Sequence, residues 1–385
     1  MMVEPDSFCW LSGRLVEHRD GVTWAEEIRS YAQLEYVVSD AGTGLAKGVR
    51  LVQADRPSLQ HGLDVFHTVY EGNKALRTEY GGAARALEAA ERGQADLDRL
   101  GRQGQSRAGK ATHVQSLWRD AERQLDDAAA AEQAWKECRA ALELFRADGT
   151  LNDRRQAEAT LAGVLPRLRG WHWGKVRRLL QRPETFAFLD RMHEQLRRLN
   201  IPDEELAVLV RLEGLRRHPH LLQGETAQAA ALRGVILARS VQLAKTDPDW
   251  PTKARQVGQA LRRSWRASSL VEGINSVARM QQARHRKMTQ GLLDLKRLYW
   301  NLRPFRTGHR RGKTPYGMLG VQVPSAKWWD LLKLTPEQLR YQLSAQEDTT
   351  RESPRSELSH MTQPARCEKV KAKTRLYRFR FRSVW

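Results

Sequence analysis

The spacing of apolar positions changes character along this chain. Through about residue 70 they come in short runs. "MMVE" and "FCWLSGRLVE" read as two strands around a Pro-Asp-Ser turn, "LEYVVSD" as a strand ending on Asp40, and "GLDVFHTV" as a strand through Leu63, Val65 and Phe66. Between them Val22, Ala25, Ile28 and Ala32 recur at helical spacing, and "AGTGLAKGV" is a Gly-rich turn opening a short helix. These residues predict a small α/β unit.

From 71 to 265 the period is that of helices. "DAERQLDDAAAAEQAWKECRAALELF" and "RRQAEATLAGVLPRLRGW", the latter up to a kink at Pro166, are strong helices. Further helices are expected over 172–199, 203–217 and 226–245, divided by Asn-Ile-Pro, His-Pro-His and Asp-Pro-Asp breaks. Helical spacing returns over 268–301 and stops at Pro304. "RPFRTGHRRGKTP" is then a basic loop and "KWWDLLKLTPEQLRYQL" a pair of short helices.

Charge sharpens this outline. The chain carries a net +20, yet 253–313 holds 16 Lys and Arg against two acids and 349–385 holds 10 against three, so the remainder is close to neutral. Clustered cations of this kind point to a polyanion, most often nucleic acid. No apolar run approaches the roughly 20 residues of a spanning helix, so no membrane partner is expected. Three scattered cysteines, Cys9, Cys138 and Cys367, fit a reducing cytoplasm and offer neither a disulfide framework nor a zinc site. The first residues lack the regions of a signal peptide.

Two acids draw notice as candidate chemistry. In "SSLVEGINS" (268–276), Leu270, Ile274 and Val277 share one helix face, while Glu272, Asn275 and Arg279 share another. Ser269 and Glu272 also have the spacing of a capping box, a purely structural role. Asp40 ends a strand before a Gly-rich turn, where an open α/β sheet exposes its site; a turn or helix-capping aspartate is the plainer alternative. His67 is a lone histidine at a strand end, by default structural. Well-separated carboxylates in a basic chain suit two Mg²⁺ ions acting on phosphodiesters, with cations around them to hold the nucleic acid.

"VVSDAGTGLAKGV", "HGLDVFHT" and "SSLVEGINSVAR…HRKMTQGLLDLKRLYWNLRPFRTGHRRGKTPYGMLG" together resemble bacterial insertion-sequence transposases of the DDE type. The likeness spans 1–320 in layout and is most specific over 268–320. It implies an RNase H-like α/β core interrupted by a large all-helical insertion, mainly helical overall. It also implies Mg²⁺- or Mn²⁺-dependent cleavage and transfer of DNA at transposon ends and target DNA by a cytoplasmic protein, which could act as a homo-oligomer. The second acid of the family falls on Asp40 and the third on Glu272, both expected as metal ligands. His67, Asn275 and Arg279 would be accessory groups, and Glu272 reads as a ligand in place of a cap. Arg284, Arg286, Lys287, Lys296, Arg297, Arg310, Arg311 and Lys313 would grip phosphates without reading sequence.

The expected organisation is a first core segment over 1–75, a helical insertion over 76–264 and a second core segment over 265–320. Short C-terminal helices follow over 321–348, then a basic, disordered tail over 349–385. One family feature is missing: the strand with the first acid would precede "MMVEP", so the chain reads as N-terminally truncated and inactive as it stands, with an unpaired strand edge or a gap at that place. Two other readings stay open, a non-catalytic nucleic-acid-binding protein and a helical interaction protein.

Overall fold

Two short strands open the structure, a computed structural model that describes residues 1–218, 221, 226–264, 269–284, 288–308, 310–325, 327–335, 337–339, 341 and 342, with the backbone alone at 269, 270 and 281–284. β1 (Met2–Glu4) and β2 (Cys9–Ser12) pair antiparallel, with Val3 opposite Trp10. The reversal between them is built by the Glu4 carboxylate, which accepts the backbone N–H groups of Asp6 and Ser7 at 2.9 and 2.6 Å. Phe8 completes it at φ 60°, a left-handed backbone uncommon for a residue with a Cβ. The ring of Phe8 packs edge-on against Phe305, and the Arg310 guanidinium lies 4.1 Å above its centroid.

A second strand pair follows, interleaved with helices: α1 (Gly21–Arg29), β3 (Tyr36–Ser39), α2 (Thr43–Asp55) and β4 (Gln60–Leu63). β3 and β4 run parallel, Tyr36 opposite Gln60 and Ser39 opposite Leu63. Ala25, Ile28, Val49, Val52 and Leu59 form the core that α1 and α2 share with this pair. The glycines of "AGTGLAKGV" make that packing possible. A Cβ on Gly44 would lie 2.0 Å from the Arg19 carbonyl oxygen, and one on Gly48 would lie 2.5 Å from Trp24 Cβ. The motif is thus a close-approach seam between α1 and α2. Among the described residues the two strand pairs are separate two-stranded sheets.

Most of the remaining described residues are helical, and the chain is mainly helical as its periodicity predicts. α3 (Val65–Arg102) and α4 (Ala108–Ala141) form a long antiparallel hairpin, about 57 and 51 Å in length at 1.5 Å per residue. Small side chains line its seam, among them Ala83, Ala90, Ala121 and Ala128, all buried. α3 begins where the sequence suggested strand. Asp64 accepts the N–H groups of Phe66 and His67, which starts a helix at Val65 and ends β4 at Leu63. Val65, Phe66 and His67 are therefore helical.

α5 (Arg154–Val164) ends in a 3-10 turn at Pro166. The stretch 172–199 is two helices, α6 (Gly174–Leu180) and α7 (Ala187–Arg197), separated by a 3-10 turn that Pro183 opens. α8 (Asp203–Arg216), α9 (Ala227–Thr246) and α10 (Trp250–Arg262) complete the array. Its core holds Trp135, Trp173, Phe186, Phe188, Leu189 and Met192, all essentially buried. Gln60 on β4 bonds Glu194 on α7 at 3.1 Å, tying the array to the parallel strands. Among the described residues no helix is long and apolar enough to cross a membrane.

The chain then returns to its beginning through α11 (Ser269–Arg284), α12 (Gln290–Leu302) and α13 (Pro315–Leu319). α12 lies along the outer edge of the hairpin. The Asn301 carboxamide, fully buried, accepts the Trp10 N–H at 2.8 Å and donates to the Trp10 carbonyl at 3.0 Å. Arg297 donates to the Leu11 carbonyl, Trp300 Nε1 to Phe8 O and the Gln290 amide to Gly13 O. Side chains of one helix thereby occupy the place of a third strand, and the edge is closed.

The residues to Val321 form one unit, and Gln322–Trp385 a second. In the second, α14 (Trp328–Leu331) is held by Ser325 Oγ donating to Asp330. The tail 349–385 lies outside the described residues.

Asn301→Ala should strand the buried N–H and C=O of Trp10, each worth about 1–3 kcal/mol. We expect a loss of stability of roughly 2–4 kcal/mol, measured as a lower urea midpoint with unchanged slope. Asn301→Asp, which keeps an acceptor and removes the donor, should also be destabilising.

Candidate metal and nucleic-acid site

The parallel pair brings two acids to one end. The β3–β4 ladder continues one step beyond the strands, where the Asp64 N–H donates to the Ser39 carbonyl at 2.8 Å. Asp40 and Asp64 therefore follow neighbouring strand ends, the place where an open sheet runs out of backbone partners. Their environments differ. The Asp64 side chain is fully buried and spent, capping α3 and contacting His67 Nδ1 at 2.8 Å. His67 is consequently a first-turn helix residue held by Asp64. With Nδ1 as the donor, a neutral ring leaves Nε2 as an acceptor.

Asp40 is exposed, and its Oδ1 accepts the Gly42 N–H at 3.1 Å. The turn reading weighed from sequence is thus realised. It occupies one carboxylate oxygen; among the described residues Oδ2 has no hydrogen-bond partner. The strand end beneath is secured by Ser39 Oγ, which donates to Asp40 O at 2.9 Å and lies 2.7 Å from His61 Nε2. His61 is a buried histidine that periodicity alone passes over, its only signal being a polar residue in a short strand.

Glu272 is placed by other elements. α11 rests on β1 and β2 through Ile274, which is 1% exposed and packs with Trp10 and Leu293, with Met1, Val3 and Trp300 at the margin. Glu272 and Asn275 are half-buried and Arg279 is exposed. The expected apolar stripe is partial, since Val277 is 37% exposed. The Leu270 and Ser269 side chains, and with them the capping-box question, lie outside the described residues. Asp40 belongs to the parallel pair and Glu272 to the hairpin side. Among the described residues no hydrogen bond joins them, and no group of three His, Cys, Asp or Glu is arranged to hold a metal ion.

Glu4 and Asp6, two further acids of the N-terminal hairpin, stand elsewhere. They line a cavity of about 520 Å³ with Glu35, Tyr36, Arg191 and Gln195, at the beginning of β3. Asp40 lies beyond the other end of β3, about 13 Å away at 3.3 Å per residue. Glu4 is also engaged in its turn, and Asp6 pairs with Arg263 at 3.2 Å. Both therefore line a cavity at the end of β3 opposite to Asp40. Arg191 stacks on the Tyr36 ring at 4.8 Å, and burial pushes the Tyr36 hydroxyl far above its ordinary pKa.

Two of the cations expected on phosphates are used internally. Arg297 bonds the Leu11 carbonyl and Asp294. Arg310 donates to the Asp6 and Pro5 carbonyls while stacking on Phe8, and burial lowers its pKa. Arg311 and Lys313 are exposed and Lys296 half-buried, without an ion-pair partner among the described residues. The Arg284 side chain, Arg286 and Lys287 lie outside those residues.

Burial lowers the pKa of His61 below its ordinary 6.5, so the unfolded chain binds the proton more readily. Its contribution to stability is complete above about pH 6.5 and is lost as pH falls below it. Thermal denaturation from pH 7.5 to 5 should show a declining midpoint, and His61→Gln should flatten that decline. No protein-family model matches this chain, and neither a curated protein nor a solved structure is significantly similar to it.

Proposed function

We propose that this chain is a DNA-binding protein related to DDE transposases, with Asp40 and Glu272 as the carboxylates of a metal site at the end of an RNase H-like core. The observation that carries the reading is the return of 269–302 to the N-terminal hairpin, across the whole helical array. That return supports the expected split core, in which acids far apart in sequence serve one unit. Among the described residues β1 pairs only with β2 and β3 only with β4, so it is the return of α11 and α12 to the hairpin that supports the split core.

The donor set fits the implied metal in kind. Asp40 offers an exposed oxygen and Glu272 a second carboxylate, hard oxygen donors of the sort Mg²⁺ and Mn²⁺ take. Such an ion, when bound, supplies charge stabilisation for in-line displacement at phosphorus. The remaining acids of this region are committed, Asp64 to α3 and Glu4 to the hairpin turn. With two carboxylates, one of them half-spent on Gly42, the chain holds DNA more readily than it cuts it. The non-catalytic reading is favoured by the same observation.

DNA affinity should be steeply salt-dependent and nearly indifferent to sequence, each phosphate contact adding about −0.9 to the slope of log K against log salt. The triple variant Arg284→Ala, Arg286→Ala, Lys287→Ala should weaken binding to all sequences alike; unchanged affinity would make 279–313 a solvated face. Incubation with Mg²⁺ and supercoiled plasmid should give binding without nicking. Nicking that Asp40→Ala abolishes would establish a working metal site in this chain.

A further inference from the structure

Trp171 is 86% exposed, more than any other large apolar side chain among the described residues. It sits on the 3-10 turn Trp171–Trp173 between α5 and α6, entered through Gly170 at φ 92°. The turn is anchored on both sides of the exposed ring. His172 Nε2 and Trp173 Nε1 both reach Glu79 Oε1 on α3, at 2.7 and 2.9 Å, and Arg177 donates to the Gly170 carbonyl. Trp173 is fully buried against Trp135. The neighbouring tryptophan thus does the packing, and Trp171 contributes little to the core. A rigid mount presents a large aromatic face to water.

The surroundings are cationic. Residues 165–182 contain six Arg and Lys and no acid. Arg167 and Lys175 are neutralised by Glu137 and Glu71. Arg169 and Arg178 are exposed and Arg177 half-buried, none with a carboxylate partner among the described residues. An exposed ring beside unneutralised guanidinium groups is the combination that holds single-stranded nucleic acid, bases stacking on the ring and phosphates meeting the cations. A duplex hides its base faces within the stack, so the ring distinguishes the two forms while the cations serve both.

We propose that Trp171 is a stacking platform for an unpaired base of single-stranded DNA, with Arg169 and Arg177 on the adjoining phosphates. This rests on the nucleic-acid reading above and adds a contact from the helical array to it. The test uses the full chain, a labelled oligothymidylate and a duplex of equal length at one salt concentration. Trp171→Ala should weaken oligothymidylate binding by roughly 5- to 150-fold, the range of base–aromatic stacking, and leave duplex binding unchanged. Trp171→Phe should retain most of the affinity.

Equal loss on both DNA forms, or no loss on either, would overturn the proposal while leaving DNA binding by the chain intact. Failure of the unaltered chain to bind either form would remove the functional reading along with it. Altered self-association of Trp171→Ala at unchanged oligonucleotide affinity would assign the ring to a protein contact and overturn the proposal.

Discussion

One carboxamide holds the two ends of the large unit together. A two-stranded hairpin is marginal by itself, and β2 has an outer edge whose N–H and C=O groups need partners. Asn301 meets both groups of Trp10 from a position 291 residues away. It is one of few side chains able to donate and accept at once in the geometry of a neighbouring peptide. Once it is seated, α12 has its place, Leu293 and Ile274 can close over Trp10, and α11 brings Glu272 and Asn275 to the hairpin. The helical array between them is constrained at its ends by this pairing and by the contact of Gln60 with Glu194.

Much of this was legible in sequence because hydrophobic period is a strong signal over long segments. The helical character of 71–265 follows from it, with the kink at Pro166, whereas the stretch 172–199, read as one helix, is divided at Pro183. The strand before Asp40 was equally plain. What escaped the pattern depends on side-chain geometry. Asp64 converts an apolar run into a helix start by capping it, which an alternating pattern cannot display. Gly44 and Gly48 belong to what resembles a loop signature, yet they sit where α2 approaches α1 and the residues before it too closely for a Cβ. The 3-10 turn Trp171–Trp173 lies where the periodicity suggested the start of a helix over 172–199, and the pattern does not show which tryptophan faces outward.

The charge pattern carries a similar lesson. A net of +14 over 253–313 reads as a single basic surface. The fold divides it by function. Arg297 and Arg310 donate to carbonyl groups of the hairpin, Arg263 meets Asp6, and Lys253 meets Glu205 and Asp247. Long cationic side chains close backbone edges well because their apolar stems pack while their heads donate. The field presented to a polyanion is accordingly smaller than the formal count. It also has a second source in the uncompensated arginines near Trp171.

The separation between Trp10 and Asn301 also sets an order of events during synthesis. The hairpin leaves the ribosome well before α12, since 291 residues separate Trp10 from Asn301. At about 5–20 residues per second, the outer edge of β2 waits roughly 15–60 s for its partner. Throughout that interval the parallel strands and the helical array, whose contacts are nearer in sequence, can assemble without it. Until α12 has emerged the outer edge of β2 lacks these partners, and an edge left open in that way can pair with another strand.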